Sequence, residues 1–217
     1  MKKTVQGSAI DEFWNTGLHP DSPAAFTESN AANRLLVSAR DAFATKGYNG
    51  TTTRDIATGA NMSPAAMYIH YASKQEMLHK LSMIGHQACL ESLRSAIQDN
   101  VSPTKQFRAG FYNFAHWHAK HHVIARTIQY ELNYLEGDLY ASVAEVRRAI
   151  QDVFSNIIKQ GVIAGDFSTS NIDMTTLAAL SMAIDTARWF PSRQMSDPDE
   201  LAAHYTVLAT KMLGETD

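Results

Sequence analysis

The sequence predicts an all-α protein, and three features carry that expectation. From Asn30 onward apolar residues recur three and four apart, no two-residue alternation of the kind a half-buried strand needs persists, and Gly, Pro or a helix-capping side chain marks the breaks. No internal repeat or low-complexity tract interrupts the pattern. The 217 residues, 45% of them apolar, suffice for one large or two modest domains with a substantial core. No apolar run approaches the roughly 18 to 20 residues that span a bilayer. The opening MKKTVQGSAIDEFW carries charges but no apolar stretch for export, so a cytoplasmic location is expected. The single cysteine, Cys89, excludes an intramolecular disulfide and a Cys-based zinc site, fits a reducing compartment, and reads as a packing residue.

The elements follow in order. Residues 1–29, with Gly7, Gly17, Pro20 and Pro23 among scattered apolar residues, read as an irregular arm in which Phe13 and Trp14 form a local docking point. A first helix over Ala31 to Lys46 gathers Leu35, Leu36, Ala39, Ala42 and Phe43 on one face and stops at Gly47, a C′ glycine. Thr52-x-x-Asp55 opens a short second helix through Ile56 and Ala57, which Gly59-Ala60-Asn61 closes. Ser63 is an N-cap and Pro64 sits at N1, where its missing N–H costs nothing, so MSPAAMYIHY is a third helix of roughly eight residues. Ser73-x-x-Glu76 is a capping box for a long helix toward Gln98, spaced by Met77, Leu81, Ile84 and Ala88.

Ser102-Pro103 repeats the cap signature before a helix carrying Phe107, Phe111, Phe114 and His118. A further helix holds Ile124, Ile128, Glu131 and Leu135. Val143, Val146, Ile150, Val153 and Ile157 form one stripe and Phe154 and Ile158 a second, which predicts a helix buried on two sides and ended by Gly161 and Gly165. Helices over about Ile172 to Phe190 and Pro198 to Leu213 complete the chain, the first with Leu177, Leu180, Ile184 and Trp189.

Charge is uneven along these elements. Asn30–Lys80 has six basic and three acidic side chains, whereas Leu81–Asp217 has eleven and fifteen. A mildly basic unit joined to an acidic remainder is the pattern of a polyanion-binding head. The first three helices, the last two joined by a tight turn, form a helix-turn-helix, and a B-DNA major groove about 12 Å wide admits one helix N-terminus first. Ser63, Pro64, Ala65 and Ala66 then start that helix, small enough to approach bases and touch thymine methyls. Tyr68 and His70 point outward beyond them, while Met67 and Tyr71 face the core. Arg54 is the candidate for a bidentate guanine contact, and Thr52, Thr53 and Lys74 suit phosphates. Short helices joined by a turn also occur in many helical proteins without nucleic acid, so geometry alone leaves DNA binding open.

The residues go further. ARDAFATKGYNGTTTRDIATGANMSPAAMYIHYASKQEML resembles the N-terminal domain of the tetracycline-repressor (TetR) family over Arg34 to Leu81. Phe43 and Lys46-Gly47-Tyr48 match the end of that family's first helix and Thr51 to Ala57 its second. Met67-Tyr68-x-His70-Tyr71 and Ser73-Lys74-x-Glu76 match its recognition helix and linker. Pro64 stands where the family often has Lys or Gln, so the family's operator preference does not carry over. The resemblance implies a DNA-binding domain at 30–75 and a helical effector-binding and dimerisation domain at 76–217. It further implies a homodimeric repressor on a palindromic operator, released when a small molecule changes the spacing of the two heads. The helices at Val143–Ile158 and Leu177–Trp189 are then the expected intersubunit bundle.

For the effector, Phe107, Phe111, Phe114 and His118 share a face, and Tyr130, Tyr134 and Trp189 can join them around an apolar cavity, although aromatic stripes are more often plain core. HAKHHVIARTIQYELNYLE, IIKQGVIAGDF, ARWF and ELAAHYTVLATKMLG resemble a TetR subgroup that regulates lipid, sterol or aromatic-acid breakdown and senses acyl-CoA thioesters. That resemblance implies an anionic effector group near Arg126 or Arg188. Two other functions stay open on the residues. His116, His118, His121 and His122 include an i, i+4 pair, 118 and 122, with zinc-ligand spacing, the sole basis for a helical metal-dependent hydrolase; no third ligand follows. A ligand-insensitive architectural DNA-binding protein is the other. No nucleophile, base and orienting group can be placed together, so no enzyme, cofactor or resident metal is expected.

Overall fold

The computed structural model describes residues 30–99 and 101–214. The arm expected over 1–29, with its Phe13–Trp14 docking point, lies outside them. All regular elements among the described residues are helices: α1 Asn30–Gly50, α2 Thr53–Gly59, α3 Pro64–Met67, α4 Lys74–Ala96, α5 Pro103–Lys120, α6 His122–Tyr130, a 3-10 turn Leu132–Tyr134, α7 Gly137–Ala164, α8 Ile172–Trp189 and α9 Pro198–Met212. They form two compact units, the first from residues up to Ile84 together with Thr127–Tyr140, the second from Gly85–Arg126 and Ala141 onward. The first unit is therefore built from two separate stretches of chain, and residues 127–140 accompany the helix-turn-helix in it.

In the first unit, Leu35, Leu36, Ala39 and Phe43 of α1 are buried with Ile56, Ala57, Met67 and Tyr71, the faces that the spacing selects. Gly47 breaks α1 at φ 71°, a left-handed conformation that glycine adopts without strain. Thr51 closes the corner, its hydroxyl donating to the Gly47 carbonyl (2.8 Å). Helix α2 approaches α1 so closely that a methyl on Gly59 would overlap Ser38 Oγ, which donates to the Ile56 carbonyl at 2.8 Å. Gly59 thus serves packing, and the left-handed residue of the turn is Asn61, at φ 55°. Its neighbour Met62 donates its N–H to the Ala57 carbonyl (2.8 Å), the six-to-one bond that ends a helix at such a residue.

In the second unit, α5 packs against α8 and α9. Phe154 of α7 meets Phe107, Phe111 and Phe114 of α5 edge-on, with ring centroids 5.9, 6.1 and 5.4 Å apart. Phe167 joins this aromatic core against Phe107 at 6.1 Å. Of the two glycines expected to end helix α7, Gly165 does so at φ 84°, while Gly161 lies inside the helix, which runs to Ala164. Gly161 is mid-helix because a methyl there would occupy the space of the Phe167 ring. Val143, Ile150, Phe154, Ile157 and Ile158 are buried, while Glu145, Arg148, Asp152 and Lys159 give α7 a polar outer face. On α8, Met174 and Leu177 are exposed together with Ala178 and Ser181, one face of that helix.

Candidate nucleic-acid interface

The helix-turn-helix is set by its caps. Thr52 caps α2: its hydroxyl accepts the Asp55 N–H (3.1 Å), while its own N–H and hydroxyl reach the Asp55 carboxylate at 2.8 and 2.6 Å. Lys46 Nζ adds a 2.8 Å ion pair to the same carboxylate, and these contacts, the lysine first, hold Asp55 far below the ordinary carboxylate range. Ser63 Oγ accepts the Ala66 N–H at 3.1 Å and Pro64 takes N1, as expected. Glu76 caps α4 one residue earlier than a capping box requires, on the Ala72 N–H (2.7 Å), while Ser73 Oγ accepts from Glu76 N (3.1 Å).

Helix α3 is four residues long, not eight. After Met67 the chain tightens, with Ile69 N–H on the Ala66 carbonyl (3.3 Å) and His70 N–H on the Met67 carbonyl (2.9 Å), three residues back. Met67 and Tyr71 are buried, four apart, and everything between them turns outward. Ser63, Pro64, Ala65 and Tyr68 are exposed, Ala66 and His70 partly so, and Arg54 stands exposed at the start of α2 beside the half-buried Thr53. Ile69, which the motif spacing does not single out, is 81% exposed. The signal was present, since a residue two after one core position and two before the next cannot share their face.

Two expected phosphate contacts are engaged internally. Both polar hydrogens of Thr52 serve Asp55. Lys74 Nζ donates to the carbonyls of Tyr48 (2.6 Å) and Thr51 (2.8 Å) and lies 4.1 Å from the Tyr48 ring centroid. Burial draws the Lys74 pKa down and Glu131 opposes it.

The expected effector residues divide between the two units. Phe107, Phe111, Phe114 and His118 are buried in the second, and Trp189 packs there on Phe190 and Tyr205. Arg188 is exposed and paired to Asp185 at 2.8 Å, so its charge is already matched. Arg126 is half-buried. Tyr130 and Tyr134 belong to the first unit, 50% and 37% exposed. A basic group that sequence spacing did not assemble lies in the second unit: Arg147 Nη1 is 3.4 Å from His86 Nε2, and Arg147 and His121 act electrostatically on His118. Residues 86, 118 and 147 come from three helices, which no local pattern connects.

His118 Nδ1 is 2.8 Å from the Phe114 carbonyl, to which its N–H donates in the neutral tautomer. Burial first, then Arg147 and His121, push its pKa down to about 4, partly offset by that hydrogen bond. The unfolded imidazole titrates near pH 6.5, so between about 6.5 and 4 the unfolded chain binds more protons and stability falls as pH falls. Denaturant titrations should show the wild type losing roughly 3 kcal/mol more than His118→Phe between pH 7 and 4. His122 Nδ1 lies 2.9 Å from the Ala119 carbonyl and His116 reaches Asp199 at 3.6 Å. Among the described residues no three His, Cys, Asp or Glu side chains gather to hold a metal. No described helix is long and apolar enough to cross a membrane.

Comparison with known proteins agrees with this geometry. Residues 35–81 match the profile of bacterial regulatory proteins of the tetR family, and residues 100–213 match the tetracyclin repressor-like C-terminal domain. A bacterial regulatory protein in the tetR family from Rhodococcus RHA1 is 39% identical, with a TM-score of 0.85 over 88% of this chain and 100% of that one. The HTH-type transcriptional repressor KstR2 of Mycobacterium tuberculosis is 27% identical over 162 residues, 72% of this chain and 79% of that protein. AibR, solved with isovaleryl coenzyme A and operator DNA, shares the fold at a TM-score of 0.76 and 18% identity, over 86% of this chain and 100% of that one. With a helix-turn-helix in its first unit and the C-terminal profile covering more than half of its length, the chain belongs to the TetR family of transcriptional regulators.

Proposed function

We propose that this protein is a ligand-responsive repressor and not an enzyme, binding a palindromic operator as a homodimer and leaving it when a small apolar or acyl-CoA-like effector binds. The observation that carries DNA docking is the outer surface of residues 63–70, where Tyr68 and Ile69 stand 53% and 81% exposed on a segment anchored by fully buried Met67. Small Pro64 and Ala65 let that segment approach base edges, with Tyr68 and His70 beside it and Ser63, Ala66 and Thr53 near the backbone. Thr52 and Lys74 hold the geometry instead of touching phosphate. Dimerisation is supported by the exposed stripe of Met174 and Leu177 on α8, with Ile163 at the end of α7, 78% exposed.

An effector with an apolar chain and an anionic group suits the second unit, whose buried phenylalanines lie on the same helices as His118 and Arg147. AibR with isovaleryl coenzyme A and the FadR regulator of Bacillus subtilis with stearoyl-CoA, both similar in fold, add to the case for a thioester. Arg147, beside His86, replaces Arg188 as the proposed anionic anchor, since Asp185 already holds Arg188. The docking is tested with Arg54→Ala on duplexes selected by the wild type. Anisotropy titrations should show a loss of about 1 to 3 kcal/mol, with preference relaxed at one base pair per half-site. Unchanged affinity and preference would remove Arg54 from the interface.

A further inference from the structure

The helix-turn-helix is held at its base by a residue from far along the chain. Residues 52–71 leave from the corner Tyr48-Asn49 and return at Lys74-Gln75, so this base decides how the intervening helices are presented. Tyr134, in the 3-10 turn after α6, touches both sides of it. Its ring stacks on Tyr48 with centroids 4.8 Å apart and planes 17° from parallel. Its hydroxyl accepts from Asn49 Nδ2 at 2.8 Å, and its main-chain carbonyl accepts from Gln75 Nε2 at 2.7 Å. Lys74 closes the other side on the Tyr48 and Thr51 carbonyls. Phe43 adds a third ring against Tyr48 at 5.4 Å, linking the base to the buried face of α1.

From this arrangement we propose that Tyr134 is a positioning residue for operator binding, a staple across the base of the helix-turn-helix that fixes α2 and α3 without touching DNA. The proposal rests on operator binding by residues 52–70. The staple acts through two separable contacts, a ring stack and a hydroxyl bond, and the Gln75 bond uses main chain that substitution leaves in place. Tyr134 follows α6 and precedes α7, so the chain that sets the base is continuous with helices of the second unit.

The test uses full-length protein and two labelled duplexes, one selected by the wild type from a random pool and one of scrambled sequence. Tyr134→Ala should weaken the selected duplex about tenfold and the scrambled one by less than about twofold. Tyr134→Phe keeps the stack and should lose only about threefold, as should Asn49→Ala. Combining those two should add nothing, because both remove one bond. Without DNA, amide hydrogen exchange at residues 51–56 should quicken in Tyr134→Ala while residues 143–158 exchange as in the wild type. Wild-type affinity in Tyr134→Ala, or equal loss on both duplexes, would overturn the staple. If the wild type itself selects no duplex, DNA recognition is what fails, and unchanged exchange at 51–56 would then independently refute the staple.

Discussion

Gly161→Ala is expected to lower the thermal midpoint by about 6 to 12 °C, the equivalent of roughly 3 kcal/mol in a domain of this size. The added methyl would overlap Cδ2 and Cε2 of Phe167. That ring is 3% exposed and packs on Phe107, so it has no solvent to swing into. The backbone gives no relief either, because the Gly161 carbonyl accepts the N–H groups of both Asp166 (2.8 Å) and Phe167 (3.2 Å) and fixes the turn that delivers the ring. Calorimetry of Gly161→Ala beside Gly161→Ala/Phe167→Leu separates the causes. The smaller second side chain should restore part of the loss if ring overlap is responsible, and none if helix distortion is.

Lys74→Met should weaken the selected operator about tenfold, through a loss of about 1 to 3 kcal/mol in the geometry of the first unit. Methionine keeps the apolar stem and removes the ammonium that bonds the Tyr48 and Thr51 carbonyls. Those bonds are partly buried, which places the effect at the modest end for charge-assisted pairs. Salt dependence separates the roles a lysine can have here. A phosphate contact would lower the slope of log affinity against log salt by about one on substitution, whereas a lysine spent on carbonyls leaves the slope unchanged. Anisotropy at several salt concentrations therefore shows whether Lys74 neutralises DNA or shapes the protein that does.

What the sequence disclosed about this molecule is local, and what it withheld is long-range. Caps at Thr52, Ser63 and Ser102, the buried faces of α1 and α5, and the inward Met67 and Tyr71 follow from spacing and from backbone groups at helix ends, all within a few residues of each other. The sequence does not reveal the shortness of α3, because the pattern of buried positions is the same for a helix and for the tighter turn that replaces its second half. Gly59 does end α2 and Gly161 lies inside α7, yet both also make room for a side chain from another segment, Ser38 and Phe167, that no local pattern names. The internal partners of Lys74 and Tyr134 are hidden from the sequence for the same reason. A lysine at a helix start beside a DNA-reading motif looks like a phosphate ligand until its carbonyl partners are seen, and Tyr134 meets Asn49 across 85 positions of sequence.

In the proposed operator complex, residues 63–70 enter successive major grooves in two symmetry-related copies. Selection from a random duplex pool by the purified full-length protein, followed by sequencing of what it retains, tests this most directly. A palindrome with half-sites centred one helical turn apart, about 34 to 36 Å, is the predicted result. Retained duplexes with no common sequence, or with a single unpaired half-site, would contradict it.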